Sequence, residues 1–408
     1  MRSVDEHVRV VAGLIRPRPP ETVALADAAG MALAEDVIAP LSLPGFDNSA
    51  MDGYAVIADE IAGATVNGPV VLPVAEDIPA GRTDALTLKP GTAHRIMTGA
   101  PVPSGATAVV PVEATDGGTD TVAIRAAAHD GQHIRRAGED VTAGVTVLHS
   151  GALVTPAALG LAAALGLTEL AVIPRQRVLV LSTGEELVQP GQPLLPGQIY
   201  ESNAVMLAAA VRDAGADVVA ATTTRDDVEE FRHALATYAS LADLILTSGG
   251  VSAGAYEVVK DSLSGGGVEF VKVAMQPGMP QGAGVVTGAG RPATSDTGTP
   301  ILCLPGNPVS ALVSFEVFVR PALRAAMGLP SAHRPISTAV LADGLKSPAG
   351  KRQFRRGVFD PPTGSVTTYG PPASHHLRWL ASANCLLEIA EDVTELTAGS
   401  QVDVWDLR

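Results

Sequence analysis

Leu244-Ile245-Leu246 runs into Thr247-Ser248-Gly249-Gly250-Val251-Ser252, and this passage is the second of three of one kind. The first is Val178-Leu179-Val180-Leu181 into Ser182-Thr183-Gly184-Glu185-Glu186. The third is Ile301-Leu302-Cys303-Leu304 into Pro305-Gly306-Asn307-Pro308. Each is a short uncharged run ending in a small-residue turn that opens a helical pattern, as buried parallel strands do. Parallel strands send their carboxyl ends to one edge of the sheet, where ligands of open α/β sheets bind. Glycine lets the backbone approach a ligand, and exposed amides at a helix start favour anions. Three such turns on one edge predict a phosphate-bearing ligand.

Around these runs, from Arg177 to about Met327, strands alternate with helices at Ala204 to Ala214, Asp227 to Tyr238 and Tyr256 to Leu263, and a long helix closes the series. The alternation predicts a doubly wound, mostly parallel sheet over 171–328, within a multidomain α/β plus β chain. Upstream, Ser3 to Ile15 reads as a helix stopped by Pro17-Arg18-Pro19-Pro20, and Leu25 to Glu35 as a second. Short β runs then follow at Val70 to Val74, Ala93 to Met97, Ala106 to Val112 and Thr121 to Ala126. An alanine-rich helix, Pro156 to Leu165, resembles the N-terminal helices. This order predicts a helical domain over 1–40 and 134–170, interrupted by an inserted β domain over 41–133. Beyond Pro330 the chain returns to β runs, a separate all-β module over 329–408.

The 408 residues exceed one core, and two to four domains are expected. Hydrophobic content of 46% with 17% charged residues describes a folded, soluble protein. Aromatics make up only 3%, too few for base-stacking platforms, and the net charge of −15 opposes general affinity for nucleic acid or anionic membrane. Two cysteines, Cys303 and Cys385, offer neither a disulfide framework nor zinc spacing. No apolar run reaches spanning length, and no apolar segment of the signal-peptide kind follows Met1. The expected compartment is the cytoplasm.

Several stretches carry chemistry, each beside a purely structural reading. Asn307-Pro308 fits a helix N-cap with proline at the first helical position. Asp52-Gly53 is an ordinary turn pair, although it stands inside the longer Asp47-Asn48-Ser49-Ala50-Met51-Asp52-Gly53-Tyr54. Arg135-Arg136-Ala137-Gly138-Glu139-Asp140 reads as a surface ion-pair cluster. Arg225-Asp226-Asp227 suits the first turn of the helix after it. Glu257 and Lys260 are spaced as a helical ion pair. Lys351-Arg352-Gln353-Phe354-Arg355-Arg356-Gly357 is the densest basic patch, either a charged strand edge or an anion clamp.

Six segments together resemble the molybdopterin molybdenumtransferase family, MoeA, which includes the gephyrin E domain. They are Pro44 to Val56, Arg95-Ile-Met-Thr-Gly-Ala-Pro101, Arg135 to Asp140, Ser182-Thr-Gly-Glu-Glu-Leu187, Thr247 to Ser252 and Leu304-Pro-Gly-Asn-Pro-Val-Ser310. The resemblance runs in order from about Pro40 to Ser374. It implies a four-domain homodimer whose sheet domain, similar to the molybdopterin adenylyltransferase fold, binds molybdopterin, and whose C-terminal module is a β barrel. It implies a reaction in which adenylylated molybdopterin and molybdate give molybdenum cofactor and AMP, with magnesium (Mg2+) as cofactor. Molybdopterin adenylyltransferase is the implied upstream partner. Two other readings are a non-catalytic gephyrin-like scaffold and the adenylyltransferase itself; the extra domains disfavour the latter.

Carried over residue by residue, the resemblance marks Asp52, Asp226 and Glu257 as catalytic, with Asp226 and Glu257 as metal ligands. It marks Thr98, Asp140, Thr183, Gly184, Glu186, Ser248, Gly249, Gly250, Ser252, Lys272 and Gln276 as substrate-binding. Pro305, Gly306, Asn307, Pro308, Arg356 and Ser374 complete that set. Asp52, Thr98 and Asp140 would face the second-half residues from the partner subunit. Carboxylates suit magnesium, which would bridge them to the pyrophosphate. Glu257 stands where the family commonly has aspartate. Gln276 and Met279 stand where many relatives carry lysine, which implies a weaker hold on the oxyanion.

Overall fold

The computed structural model describes residues 1–251, 258–263, 267–286 and 298–408. The chain forms two compact units, one of Ala24–Asp27 with Glu35–Leu170, the other of Met1–Val23, Ala28–Ala34 and Ala171–Arg408.

In the unit containing Glu35–Leu170, a five-stranded sheet takes the order Ala108–Pro111, Gly53–Val56, Ala93–Ile96, Val70–Ile78, Thr121–Ile124. Tyr54, Val56, Ile61, Leu72, Val110 and Ile124 are buried on it as one core. Gly53 lies opposite Pro111 in the sheet. A Cβ at Gly53 would come within 2.0 Å of the Val110 carbonyl oxygen, so the Asp-Gly pair is demanded by strand packing and not by a turn alone. The helix Pro156–Ala164 begins as its sequence suggests: Thr155 Oγ1 accepts from the Ala158 amide at 3.2 Å, and Pro156 occupies the first turn.

The other unit holds the alternating segment, with strands β1 (Arg177–Thr183), β2 (Asp217–Thr224), β3 (Leu244–Ser248), β4 (Val268–Lys272), β5 (Pro280–Val286) and β6 (Thr299–Leu304). Its helices are α1 (Asn203–Asp213), α2 (Val228–Tyr238), α3 (Val258–Leu263) and α4 (Pro308–Ser314). The sheet order is β2-β1-β3-β6-β5-β4. The first four strands are parallel, and β5 and β4 complete the sheet antiparallel. Both faces are buried, as uncharged strands require. Val178, Val180, Leu244 and Leu246 pack on one face with Leu207 and Val211 of α1 and Val313 of α4. Leu179, Leu181 and Ile245 pack on the other with Phe231 and Leu235 of α2. After α4 the helical run continues through a π turn, Phe315–Val319, into Arg320–Ala326.

Beyond it five strands close into a barrel: Arg352–Asp360 pairs with both Ser365–Thr368 and Cys385–Ile389, while Ile336–Leu341 and Gln401–Asp406 complete the ring. Met275–Gln276 adds to this barrel as a parallel neighbour of Arg352–Asp360. Both cysteines are buried and free, and burial pushes their thiols up to about 12. No helix among the described residues is long and apolar enough to cross a membrane.

Two local expectations differ from the structure. The helix expected over Leu25 to Glu35 spans only Leu25–Ala28. Gly30 takes φ +75°, the left-handed stop of a helix C-terminus, and Ala32–Leu33 then pairs with Val172 and Ile173 as a strand. The turn after β1 opens no helix directly. Prolines and glycines at 190–197 break the chain there, so Leu187–Val188 pairs with Ile199–Tyr200 and α1 waits until Asn203.

Candidate functional site

Register places the three turns side by side. Ser182 of β1 lies beside Ser248 of β3, which lies beside Leu304 of β6. Their carboxyl ends line a cleft of about 1070 Å³. Thr183, Gly184 and Glu186 reach it from the first turn, Ser248, Gly249 and Gly250 from the second, and Pro305, Gly306, Asn307 and Pro308 from the third. Asp226, past the end of β2, lines it too, as do Gln276 and Ser374. Ser252 and Glu257 lie outside the described residues.

Close packing of these turns depends on glycine. Gly249 has φ +97°, and a Cβ there would stand 2.7 Å from the Thr183 carbonyl oxygen. No other residue fits that backbone without displacing β1. The cleft wall also carries unmet polar atoms. Asn203 Nδ2 donates to Ser248 Oγ at 2.8 Å and to the Gly306 carbonyl at 2.6 Å, while its buried Oδ1 has no partner among the described residues. Thr183 Oγ1 is likewise buried and unpartnered among the described residues. Buried polar atoms left unmatched are uncommon, and beside an open cleft they suit a polar ligand.

Asn307 and Arg356 work through a neighbour. Asn307 occupies the N-cap position of α4, yet its side chain makes no capping bond. Its Nδ2 donates instead to Ser374 Oγ at 3.0 Å, while the Val309 amide donates to the Ser374 carbonyl at 3.1 Å. Arg356 is buried, and its guanidinium donates to the carbonyls of Ala373, at 3.1 Å, and Pro371. It is absent from the cleft lining and fastens the loop that carries Ser374. Lys272 is exposed at the end of β4 and is also absent from that lining; its backbone carbonyl accepts from the Arg2 amide at 2.9 Å.

In the unit of Glu35–Leu170, Asp52 and Thr98 meet. Asp52 Oδ1 accepts from both the amide and the hydroxyl of Thr98, each at 2.7 Å. The amide first, then the hydroxyl, holds this carboxyl below the usual carboxylate range. Because the folded value is depressed, the contribution to stability is present above the unfolded pKa of about 3.9 and is lost as pH falls through the folded one. Thr98→Val keeps the amide and removes the hydroxyl, so the Asp52 pKa should rise part-way; a carboxyl NMR titration reads it, and an unmoved pKa contradicts the bond's role. Asp140 is exposed, and its amide donates to the Leu43 carbonyl at 3.1 Å. The loop before it is pinned by Asp47, which takes Arg136 at 2.6 Å and the Ala137 amide at 2.8 Å.

Comparison with known proteins shows the family. Residues 2–166 match the MoeA N-terminal region (domain I and II), 179–325 the probable molybdopterin binding domain, and 338–407 the MoeA C-terminal region (domain IV). The chain is 68% identical over 414 residues to molybdopterin molybdenumtransferase 2 of Mycobacterium tuberculosis, covering 100% of both chains. The chain belongs to the MoeA family. It is also 35% identical to the molybdopterin molybdenumtransferase of Haemophilus influenzae, over 95% of this chain and 94% of that one. The crystal structure of a molybdopterin biosynthesis MoeA protein from Pyrococcus horikosii aligns with a TM-score of 0.81 at 28% identity, over 100% of this chain and 99% of that one.

Within this MoeA cleft, sequence reading passed over Glu201, Asn203 and His375, which line it together with Lys351, the first residue of the basic patch. Glu201 is buried; its Oε1 accepts from Ser182 Oγ at 2.8 Å and from the Ala204 amide at 2.7 Å, so it ties the first turn to the start of α1. Glu201-Ser202-Asn203 before an apolar helix is a legible helix start, and that signal alone pointed to the place.

Proposed function

We propose that this chain is the molybdenum-inserting enzyme of molybdenum cofactor synthesis: it takes adenylylated molybdopterin and molybdate and yields molybdenum-molybdopterin, AMP and water. The observation that carries the reading is the cleft at the ends of β1, β3 and β6, with three glycine turns around unmet polar atoms, in a chain so similar to named molybdopterin molybdenumtransferases. Glycine turns let backbone amides come close to phosphate oxygens, and the Asn203 and Thr183 atoms are free to meet polar groups of the pterin.

Breaking a phosphoanhydride needs charge neutralisation more than a protein nucleophile. Asp226 suits a magnesium ion: it lines the cleft, and among the described residues its carboxylate accepts only a long 3.4 Å bond from the Glu185 amide. Magnesium takes one or two carboxylates together with substrate phosphate oxygens, and when bound it would offset the negative charge of the pyrophosphate. Glu257 is the second proposed ligand. Ser374, held by Asn307 and by the Arg356-anchored loop, presents a hydroxyl donor to an oxyanion. Asp52 and Thr98 are proposed to complete the site from the partner subunit of a homodimer, with a molybdopterin adenylyltransferase supplying the substrate.

AMP release from adenylylated molybdopterin should therefore require both molybdate and magnesium, and a chelator should stop it. Release that ignores both would refute the proposal. Arg356→Lys should raise the KM for adenylylated molybdopterin about tenfold, because an ammonium cannot fork across the two carbonyls that fix the Ser374 loop. An unchanged KM would detach that loop from substrate binding.

A further inference from the structure

We infer that Lys351 is the cation that binds a tetrahedral oxyanion in this cleft, an inference that rests on the function proposed above. Among the described residues lining the cleft, three carry carboxylates, Glu186, Glu201 and Asp226, and one carries a lysine or arginine charge, Lys351. The other basic candidates are committed or turned away. Arg356 is spent on the carbonyls of Pro371 and Ala373, and Lys272 does not reach the lining. Arg352, the immediate neighbour, is held by Asp5 at 2.9 Å and Glu391 at 3.0 Å. Lys351 itself forms no ion pair with a described residue, so its ammonium keeps its capacity for a ligand.

The register explains its position. Arg352 lies beside Met275 and Gln353 beside Gln276 in the parallel pairing of the barrel strand with the short 275–276 strand. The Arg352 amide donates to the Ala274 carbonyl at 2.9 Å, which brings residue 351 alongside the neutral 275–280 segment. Gln276 is drawn toward that strand as well, its Oε1 accepting from Gln353 Nε2 at 3.4 Å. Gln276 and Met279 line the cleft without charge, and Lys351 lines it with one. A dianion brought among three carboxylates needs such a counter-charge.

The ligand is a tetrahedral dianion, either free molybdate or the phosphate of the pterin, and titration separates the two. Calorimetry of the full-length protein with sodium molybdate alone should give a Kd roughly five- to thirty-fold weaker in Lys351→Ala, the worth of one charge-assisted hydrogen bond. Lys351→Arg should keep most of the affinity, and Gln276→Lys in the Lys351→Ala background should restore it. If molybdate affinity is unchanged and molybdopterin affinity falls instead, the ammonium serves the pterin phosphate, still an oxyanion. If neither changes in a variant whose melting temperature matches the parent, the inference is overturned. Lys351-dependent molybdate binding without AMP release would overturn the proposed function and leave Lys351 in place.

Discussion

Asp226→Ala is expected to cut molybdate-dependent AMP release by roughly 10²- to 10³-fold, the usual loss when one preorganised electrostatic partner of a transition state is removed. The fold should survive, since among the described residues the carboxylate accepts only the 3.4 Å contact from the Glu185 amide, and the neighbouring Asp227 provides the cap of α2, accepting from the Glu230 amide at 2.7 Å. Single-turnover AMP formation, with the melting temperature as control, measures the effect. Full activity in a folded variant would take Asp226 out of the reaction.

Mixing two dead variants should restore activity if the site is shared between subunits. In an Asp52→Ala/Asp226→Ala mixed dimer, two-fold symmetry leaves one site with both carboxylates and one with neither. Activity should rise from near zero to about half of the parent value per mixed dimer after subunit exchange. No recovery despite exchange, followed by mass-labelled subunits, would place both residues of one site on a single chain.

The sheet was legible because its strands are uncharged and its turns contain glycine. Residues 178–181, 244–246 and 301–304 bury both faces, as the uncharged strands of a parallel sheet covered by helices do. Cleft residues such as Gly249 and Gly306 were legible through long motifs, whereas Ser374 entered only as a single position of the family resemblance. What escaped was anything decided by tertiary register. Arg356 sits in a basic patch that reads as an anion clamp, yet its guanidinium is consumed by two carbonyls of a loop about 15 residues on. Lys351, five positions earlier, opens the same patch, and it is the pairing of a barrel strand with residues 275–276 that brings it to the cleft. Asn307 showed every local sign of a cap, but Ser374 offered its side chain a better partner. The helix expected through Glu35 failed for a nearer reason, because alanine propensity does not outweigh a glycine in the left-handed region.

On the proposed function, the cleft consumes adenylylated molybdopterin and does not make it. Purified protein given adenylylated molybdopterin, magnesium and molybdate, and in parallel molybdopterin, magnesium and ATP, decides the matter by the nucleotide formed. AMP appearing in the first mixture in proportion to molybdate, with ATP intact in the second, is the predicted result. ATP consumed in the second, with adenylylated molybdopterin accumulating and no response to molybdate in the first, would contradict it.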